Sequence, residues 1–183
     1  MSKKIAAAVV AVVLIGLSCF RLTALNTRYP PPEIRCYATG QAAPYEPFTL
    51  MVNNAAFMDE ARTQEIFQDE LLDDQNLRCI VVDLTVQNKG TETGHIEISS
   101  FILESGAWKN GIHYTAFLQL NEDQPQASLL LTLEPGESRT LRLPYTMIES
   151  HFRPVQWKTV EHRTYSLTYS LYPVKQTIDV LNG

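Results

Sequence analysis

Seven carboxylates stand close together between Ala55 and Gln75. They are Asp59, Glu60, Glu65, Asp69, Glu70, Asp73 and Asp74, and only Arg62 opposes them. Such density invites a calcium reading. An EF-hand loop needs oxygen ligands at alternate positions, a central glycine and a closing glutamate. Asp69-Glu70-Leu71-Leu72-Asp73-Asp74 has no glycine and the wrong spacing. Two readings remain: a solvated helix face, or a docking surface for a basic partner centred on Asp69, Glu70, Asp73 and Asp74.

The four histidines, His95, His113, His151 and His162, form no HxxxH or HExxH pair. A zinc site would have to be assembled from distant loops. No GxSxG elbow and no phosphate-cradling glycine loop occurs, so neither a serine nucleophile nor a nucleotide site is expected. Paired carboxylates for glycoside hydrolysis cannot be picked out. No catalytic residue, cofactor or metal is therefore assigned. Aromatic residues are the other chemical resource. Phe152, Trp157, Tyr165, Tyr169 and Tyr172 cluster late in the chain, with Trp108 and Tyr114 earlier. Tyr165 and Tyr169 share the apolar face of a strand and are expected in the core. Phe152 and Trp157 are expected to cap one end, where exposed rings could stack on sugar or peptide.

Three cysteines have no CxxC or zinc spacing. Cys19 lies in an apolar run. Cys36 and Cys79 lie in strand-like segments and either pair, if the compartment is oxidising, or stay as free thiols. Spacing in sequence does not decide between these.

The elements that must position these groups are mostly strands. Ile80, Val82, Leu84 and Val86 alternate with Val81, Asp83, Thr85 and Gln87. Leu141, Leu143, Tyr145 and Met147 keep the same period, as do Tyr165, Leu167, Tyr169 and Leu171. Period two marks half-buried strands. Weaker candidates are Ile34–Ala38, Phe48–Val52, His95–Leu103, His113–Leu118, Leu129–Leu133 and Gln176–Leu181. The apolar phase slips within His95–Leu103, which predicts a bulge at Ser99-Ser100. Asn88-Lys89-Gly90 and Glu92-Thr93-Gly94 are expected to close one strand pair, and Lys109-Asn110-Gly111 to form a short turn. Glu134-Pro135-Gly136-Glu137 has the residues of a type II turn. Between Ala55 and Gln75 the pattern is that of a short acidic amphipathic helix, and a further helical turn fits Ile148–Trp157.

Ahead of all this, Met1-Ser2-Lys3-Lys4 precedes sixteen uncharged residues, Ile5–Phe20. Two lysines before such a run keep the N-terminus in the cytoplasm. Sixteen helical residues span roughly 24 Å, and Leu22-Thr23-Ala24-Leu25 can extend them toward the ~30 Å hydrocarbon core. An uncleaved signal anchor is the leading expectation. Cleavage after Ala24, giving a secreted protein, and lipidation at Cys19 are the alternatives. Only Met1–Lys4 would remain inside, so the protein is expected to act outside the membrane. The exported part carries twelve basic against twenty acidic residues, near −8. That balance argues against nucleic acid as a partner and against lying flat on anionic lipid.

Val81-Val82-Asp83-Leu84-Thr85-Val86-Gln87-Asn88-Lys89-Gly90, Ile98-Ser99-Ser100-Phe101 and Leu131-Thr132-Leu133-Glu134-Pro135-Gly136-Glu137 follow the anchor and a Pro-rich stretch. From Cys79 to Met147 the chain resembles the immunoglobulin-like domains of unknown function on anchored envelope proteins of Gram-positive bacteria. Those carry a strand ending in V-N-K/T-G, an I-S-S-F-like segment and an L-x-P-G-E turn. The acidic helix before Cys79 departs from that pattern. The resemblance implies fold and compartment and brings no catalytic residue. The expected architecture is mainly β, an immunoglobulin-like antiparallel β-sandwich over residues 33–183 with one short acidic helix inserted. A transmembrane helix over 1–25 and a Pro-rich tether over 26–32 precede it. The expected role is a membrane-tethered, non-enzymatic binding module with an envelope protein partner. A structural subunit and a site assembled from distant loops are the alternatives.

Overall fold

The computed structural model of the chain describes residues 3–29, 33–67, 76–124 and 126–181. They form two compact units, Met1–Glu33 and Ile34–Gly183. The first is one helix, α1 (Lys3–Arg28), of which Val10–Arg28 is long and apolar enough to cross a membrane. The helix continues through Asn26–Arg28, three residues that the sequence reading gives to the tether; Pro30–Pro32 lie outside the described residues.

The second unit runs β1 (Ile34–Tyr37), β2 (Ala43–Tyr45), β3 (Phe48–Phe57), α2 (Glu60–Phe67), β4 (Leu77–Asn88), β5 (Gly94–Glu97), β6 (Ile102–Ser105) and β7 (Trp108–Asn110). It continues with α3 (Tyr114–Leu120), β8 (Leu130–Leu133), β9 (Ser138–Ile148), α4 (Pro154–Lys158), β10 (Tyr165–Ser170) and β11 (Lys175–Leu181). The strands make a mainly β sandwich. One sheet has the order β1-β11-β10-β6-β7, a second β2-β3-β4-β9, and β5-β8 forms a small third.

Period two produces this core directly. Ile80, Val82, Leu84 and Val86 of β4 are fully buried, as are Leu141, Leu143 and Tyr145 of β9. Leu103, Tyr165, Leu167 and Ile178 meet them from the other sheet. Each such side chain contributes about 1.5–3 kcal/mol on leaving water. Tyr165 and Tyr169 are both in this core, as their shared face predicts. A second, smaller cluster covers the other face of β4, where Cys79 packs under Ile66 and Phe67 of α2 and Ala116 of α3.

Asn88 ties the sheets together at the end of β4. Its Nδ2 donates to the carbonyls of Glu92 and Leu133, both at 2.8 Å, and its Oδ1 accepts from Gly90 N–H. The side chain is completely buried with its amide fully paired, which is how a buried amide becomes tolerable. The Glu134–Glu137 turn forms as its residues predict, with Gly136 at φ +79 and Glu137 N–H on the Glu134 carbonyl at 2.9 Å.

Several expectations are corrected. The strand expected at His113–Leu118 is helix α3. His113 Nδ1 accepts from Ala116 N–H at 3.3 Å and caps it, and the helix then buries Ala116 and Phe117. His95–Leu103 is two strands rather than one bulged strand: β5 pairs with β8 and β6 with β10, so Ser99-Ser100 carries the chain between sheets. Asn88–Gly94 likewise crosses between sheets, since β4 pairs with β3 and β9. The turn placed at Lys109-Asn110-Gly111 lies at Gly106 (φ +60) and Ala107, because Ser105 and Trp108 are register partners. Ala55–Phe57 extend β3, and the acidic helix begins only at Glu60, capped by Asp59 Oδ1 on Arg62 N–H. The sandwich is not wholly antiparallel, for β1 runs parallel to β11.

Candidate functional site

Phe152 and Trp157, the two rings that the sequence places at a cap, come together with Trp108 and Tyr165. Trp108 opens β7 directly after the Gly106-Ala107 turn. Phe152 follows a 3-10 turn at Glu149–His151, and Trp157 sits on α4. That short helix forms because Pro154 takes its first position and Gln156 Oε1 accepts from Arg153 N–H at 3.2 Å. Tyr165 begins β10 beneath them.

Ring centroids lie 6.0 Å apart for Trp108 and Phe152, 5.6 Å for Phe152 and Trp157, and 6.0 Å for Trp108 and Tyr165. Phe57 meets Tyr165 edge to face at 5.9 Å. Two guanidinium groups complete the array: Arg78 lies 5.4 Å from the Trp157 centroid and Arg163 5.7 Å from that of Phe152. Arg163 is fixed by Nε to Ser105 Oγ at 3.1 Å and Nη2 to the Ser105 carbonyl at 3.0 Å. Arg78 is paired with Glu161. Burial pushes the Tyr165 hydroxyl up to about 12, and it donates to the Val160 carbonyl at 2.8 Å. Tyr165 is therefore a neutral structural donor.

Trp157 and Phe152 face two different hollows. The larger, about 540 Å³, lies between α2 and β4 and includes Asp59, Glu60, Thr63, Arg78 and Glu161 in its walls. The smaller, about 300 Å³, is walled by Trp108, Lys109, His151, Phe152, Gln156 and Arg163. No carboxylate lines the smaller one among the described residues, in a chain that is otherwise acidic. Half-buried ring faces beside an ammonium, an amide and a guanidinium can stack on a flat or apolar group and donate to its acceptors. We take this smaller hollow as the candidate site.

The other sequence candidates are not brought together. Asp69, Glu70, Asp73 and Asp74 lie outside the described residues. Of the two alternatives left open for Cys36 and Cys79, the structure has the free thiols, Cys36 exposed on β1 and Cys79 buried on a strand of the other sheet. Burial pushes the Cys79 thiol up to about 12. His95 bonds Thr132 on the β5-β8 pair, and His113 caps α3. Among the described residues no three His, Cys, Asp or Glu side chains gather as a metal site would require. Tyr172 stands apart from the array, 87% exposed in the β10–β11 loop. Sequence reasoning missed Arg78, Arg163 and Gln156, since nothing local marks a cation that will meet a ring from another strand.

Residues 35–176 match the family model described as a domain of unknown function, DUF5028. Among solved structures, the chain is similar to a conserved hypothetical protein from Bacillus anthracis. The two share 14% identity with a TM-score of 0.52, covering 77% of this chain and 94% of that one. It is also similar to an uncharacterised β-sandwich protein from Clostridium difficile 630, at 10% identity and a TM-score of 0.46, covering 82% and 97%. No curated protein sequence matches the chain. At these identities the likeness to the first structure concerns the fold alone.

Proposed function

The chain belongs to the DUF5028 family of domains of unknown function, and on that premise we propose a membrane-tethered, extracytoplasmic binding module. Its immunoglobulin-like sandwich takes an envelope protein partner at the aromatic end. The observation that carries this reading is the Trp108–Phe152 face. Its rings are half-buried, Arg163 is locked over Phe152, and the wall holds donors without a carboxylate. Rigid aromatics with an adjacent arginine are what recognition surfaces concentrate. The reading is non-enzymatic.

Two further features support it. α1 has the length and composition of a signal anchor, with Lys3 and Lys4 as its first two residues. Within the second unit, β1 begins at Ile34, the register partner of Lys175, whereas Tyr165 of the aromatic array pairs with Leu181. Six residue steps along β11, about 20 Å, separate those points. Within the second unit, β1 thus begins at the end of the sandwich opposite the candidate site.

The test uses the full chain, solubilised in detergent, as bait for solubilised envelope of its own host. The expected result is one near-stoichiometric protein, retained by the wild type and lost from both Trp108→Ala and Lys109→Glu. Equal retention by all three chains, or none by any, would overturn the assignment of the aromatic end as the binding face.

A further inference from the structure

One exposed apolar feature of the second unit lies away from the candidate site. The loop between β10 and β11, Leu171-Tyr172-Pro173-Val174, holds Leu171 63% exposed and Tyr172 87% exposed. Ile34, also 63% exposed, is the register partner of Lys175, the residue that follows this loop. The first residue of the sandwich therefore lies beside the point where this loop enters β11. None of these five residues carries a charge, within a part of the chain near −8.

Solvent-exposed Leu and Ile beside an almost fully exposed Tyr need an occupant that tolerates both apolar bodies and a phenol hydroxyl. The headgroup boundary of a bilayer is such a place: tyrosine concentrates there, its ring among acyl ends and its hydroxyl in water. Covalent connection brings that boundary within range. Only Tyr29–Glu33 separate the last helical residue from Ile34, and a chain of that length reaches roughly 20 Å at most. A broad contact is opposed by the acidic surplus, whereas a small uncharged tip is not.

We propose that Ile34, Leu171 and Tyr172 form a membrane-interface contact, resting on the bilayer that α1 spans and setting which end of the sandwich faces outward. The inference rests on the tethered reading above. It supplies orientation, which five linking residues alone do not, at the cost of only one loop.

The test reconstitutes the full chain in phosphatidylcholine nanodiscs and compares the wild type with Tyr172→Trp and, as a control position, Tyr114→Trp. Tyr172 is exposed, so the substitution does not touch the core. The added emission of Tyr172→Trp is expected to be lost when the acyl chains carry bromine and to be protected from aqueous iodide. That of Tyr114→Trp is expected to behave in the opposite way. A chain that co-elutes with the discs but leaves residue 172 open to iodide and indifferent to bromine overturns this proposal alone. A chain that does not co-elute with the discs overturns the tether and this proposal together.

Discussion

Asn121 pairs with Arg142 as a neighbouring strand residue would. Its Oδ1 accepts from Arg142 N–H and its Nδ2 donates to the Arg142 carbonyl, each at 2.9 Å. The same Nδ2 reaches the Phe117 carbonyl at 2.8 Å and so closes the end of α3. Beside it, His113 N–H donates to the Pro144 carbonyl at 2.9 Å and Asn110 Nδ2 to that of Thr146 at 2.7 Å. The free edge of β9 is thereby occupied by single groups from one passing segment, and a foreign strand finds no continuous ladder to join.

Asn121 is 1% exposed. Asn121→Ala should strip partners from buried backbone groups and lower stability by about 2 kcal/mol. Urea unfolding of the second unit measures this. A change near zero would mean that water replaces the amide freely.

Gly94 leaves no room for a side chain. A Cβ there would stand 2.7 Å from Cζ of Phe48, whose ring is buried against the core. Gly94→Ala is expected to destabilise by about 1–3 kcal/mol through overpacking. Adding Phe48→Leu should recover part of that loss, which a double-mutant cycle would read as coupling.

Cys36 and Cys79 should differ sharply as nucleophiles. Cys36 is exposed, while the Cys79 thiol is buried and held protonated up to about 12. Brief alkylation of the native protein, followed by peptide mapping, should label Cys36 and spare Cys79. In denaturant without reductant both should label; failure of both to do so would reveal a bridge.

Glu137 gives a pH prediction. The Glu134 backbone N–H donates to its Oε2 at 2.9 Å, and Arg139 Nη2 to its Oε1 at 2.7 Å. The backbone bond first, then Arg139, holds this carboxyl below the usual carboxylate range. A group whose folded pKa is depressed adds stability above its unfolded value and loses it as pH falls through the folded one. The Glu134 amide resonance should therefore titrate at a pH below the ordinary glutamate value. Glu137→Gln should abolish that titration, and a curve centred on the ordinary value would contradict the geometry.

Tyr145 carries a fully buried hydroxyl with no hydrogen-bond partner among the described residues, and burial raises its pKa strongly. Removing an unpaired buried hydroxyl is not costly. Tyr145→Phe should leave stability unchanged or raise it by up to about 1 kcal/mol. A clear loss in thermal or urea unfolding would show that the hydroxyl is satisfied by a bound water.

Where the sandwich interior dictates burial, the sequence is legible. Ile80 to Val86 and Leu141 to Met147 must alternate because one face meets the opposite sheet, and Gly136 stands where only glycine accepts a positive φ at no cost. Legibility ends where partners decide. His113–Leu118 looks like a strand residue by residue, and only the His113 cap and the packing of Ala116 on Cys79 make it a helix. The phase slip at Ser99-Ser100 is visible, but a bulge and a passage between sheets leave the same trace. At the candidate site the rings of Phe152 and Trp157 could be anticipated, whereas Trp108 reaches them from a separate strand. The arginines could not, since 58 positions separate Ser105 from Arg163.

The parallel pairing of β1 with β11 has a mechanical consequence. All four residues of β1 are in register with β11, from Ile34 with Lys175 to Tyr37 with Ile178. A pull applied at Ile34 while the aromatic end is held runs along the strand axis. The interstrand hydrogen bonds then share the load in shear and do not open one by one, as they would if β1 were peeled from its edge. An edge strand of four residues, weak by length, is thus placed where its resistance to tension is greatest.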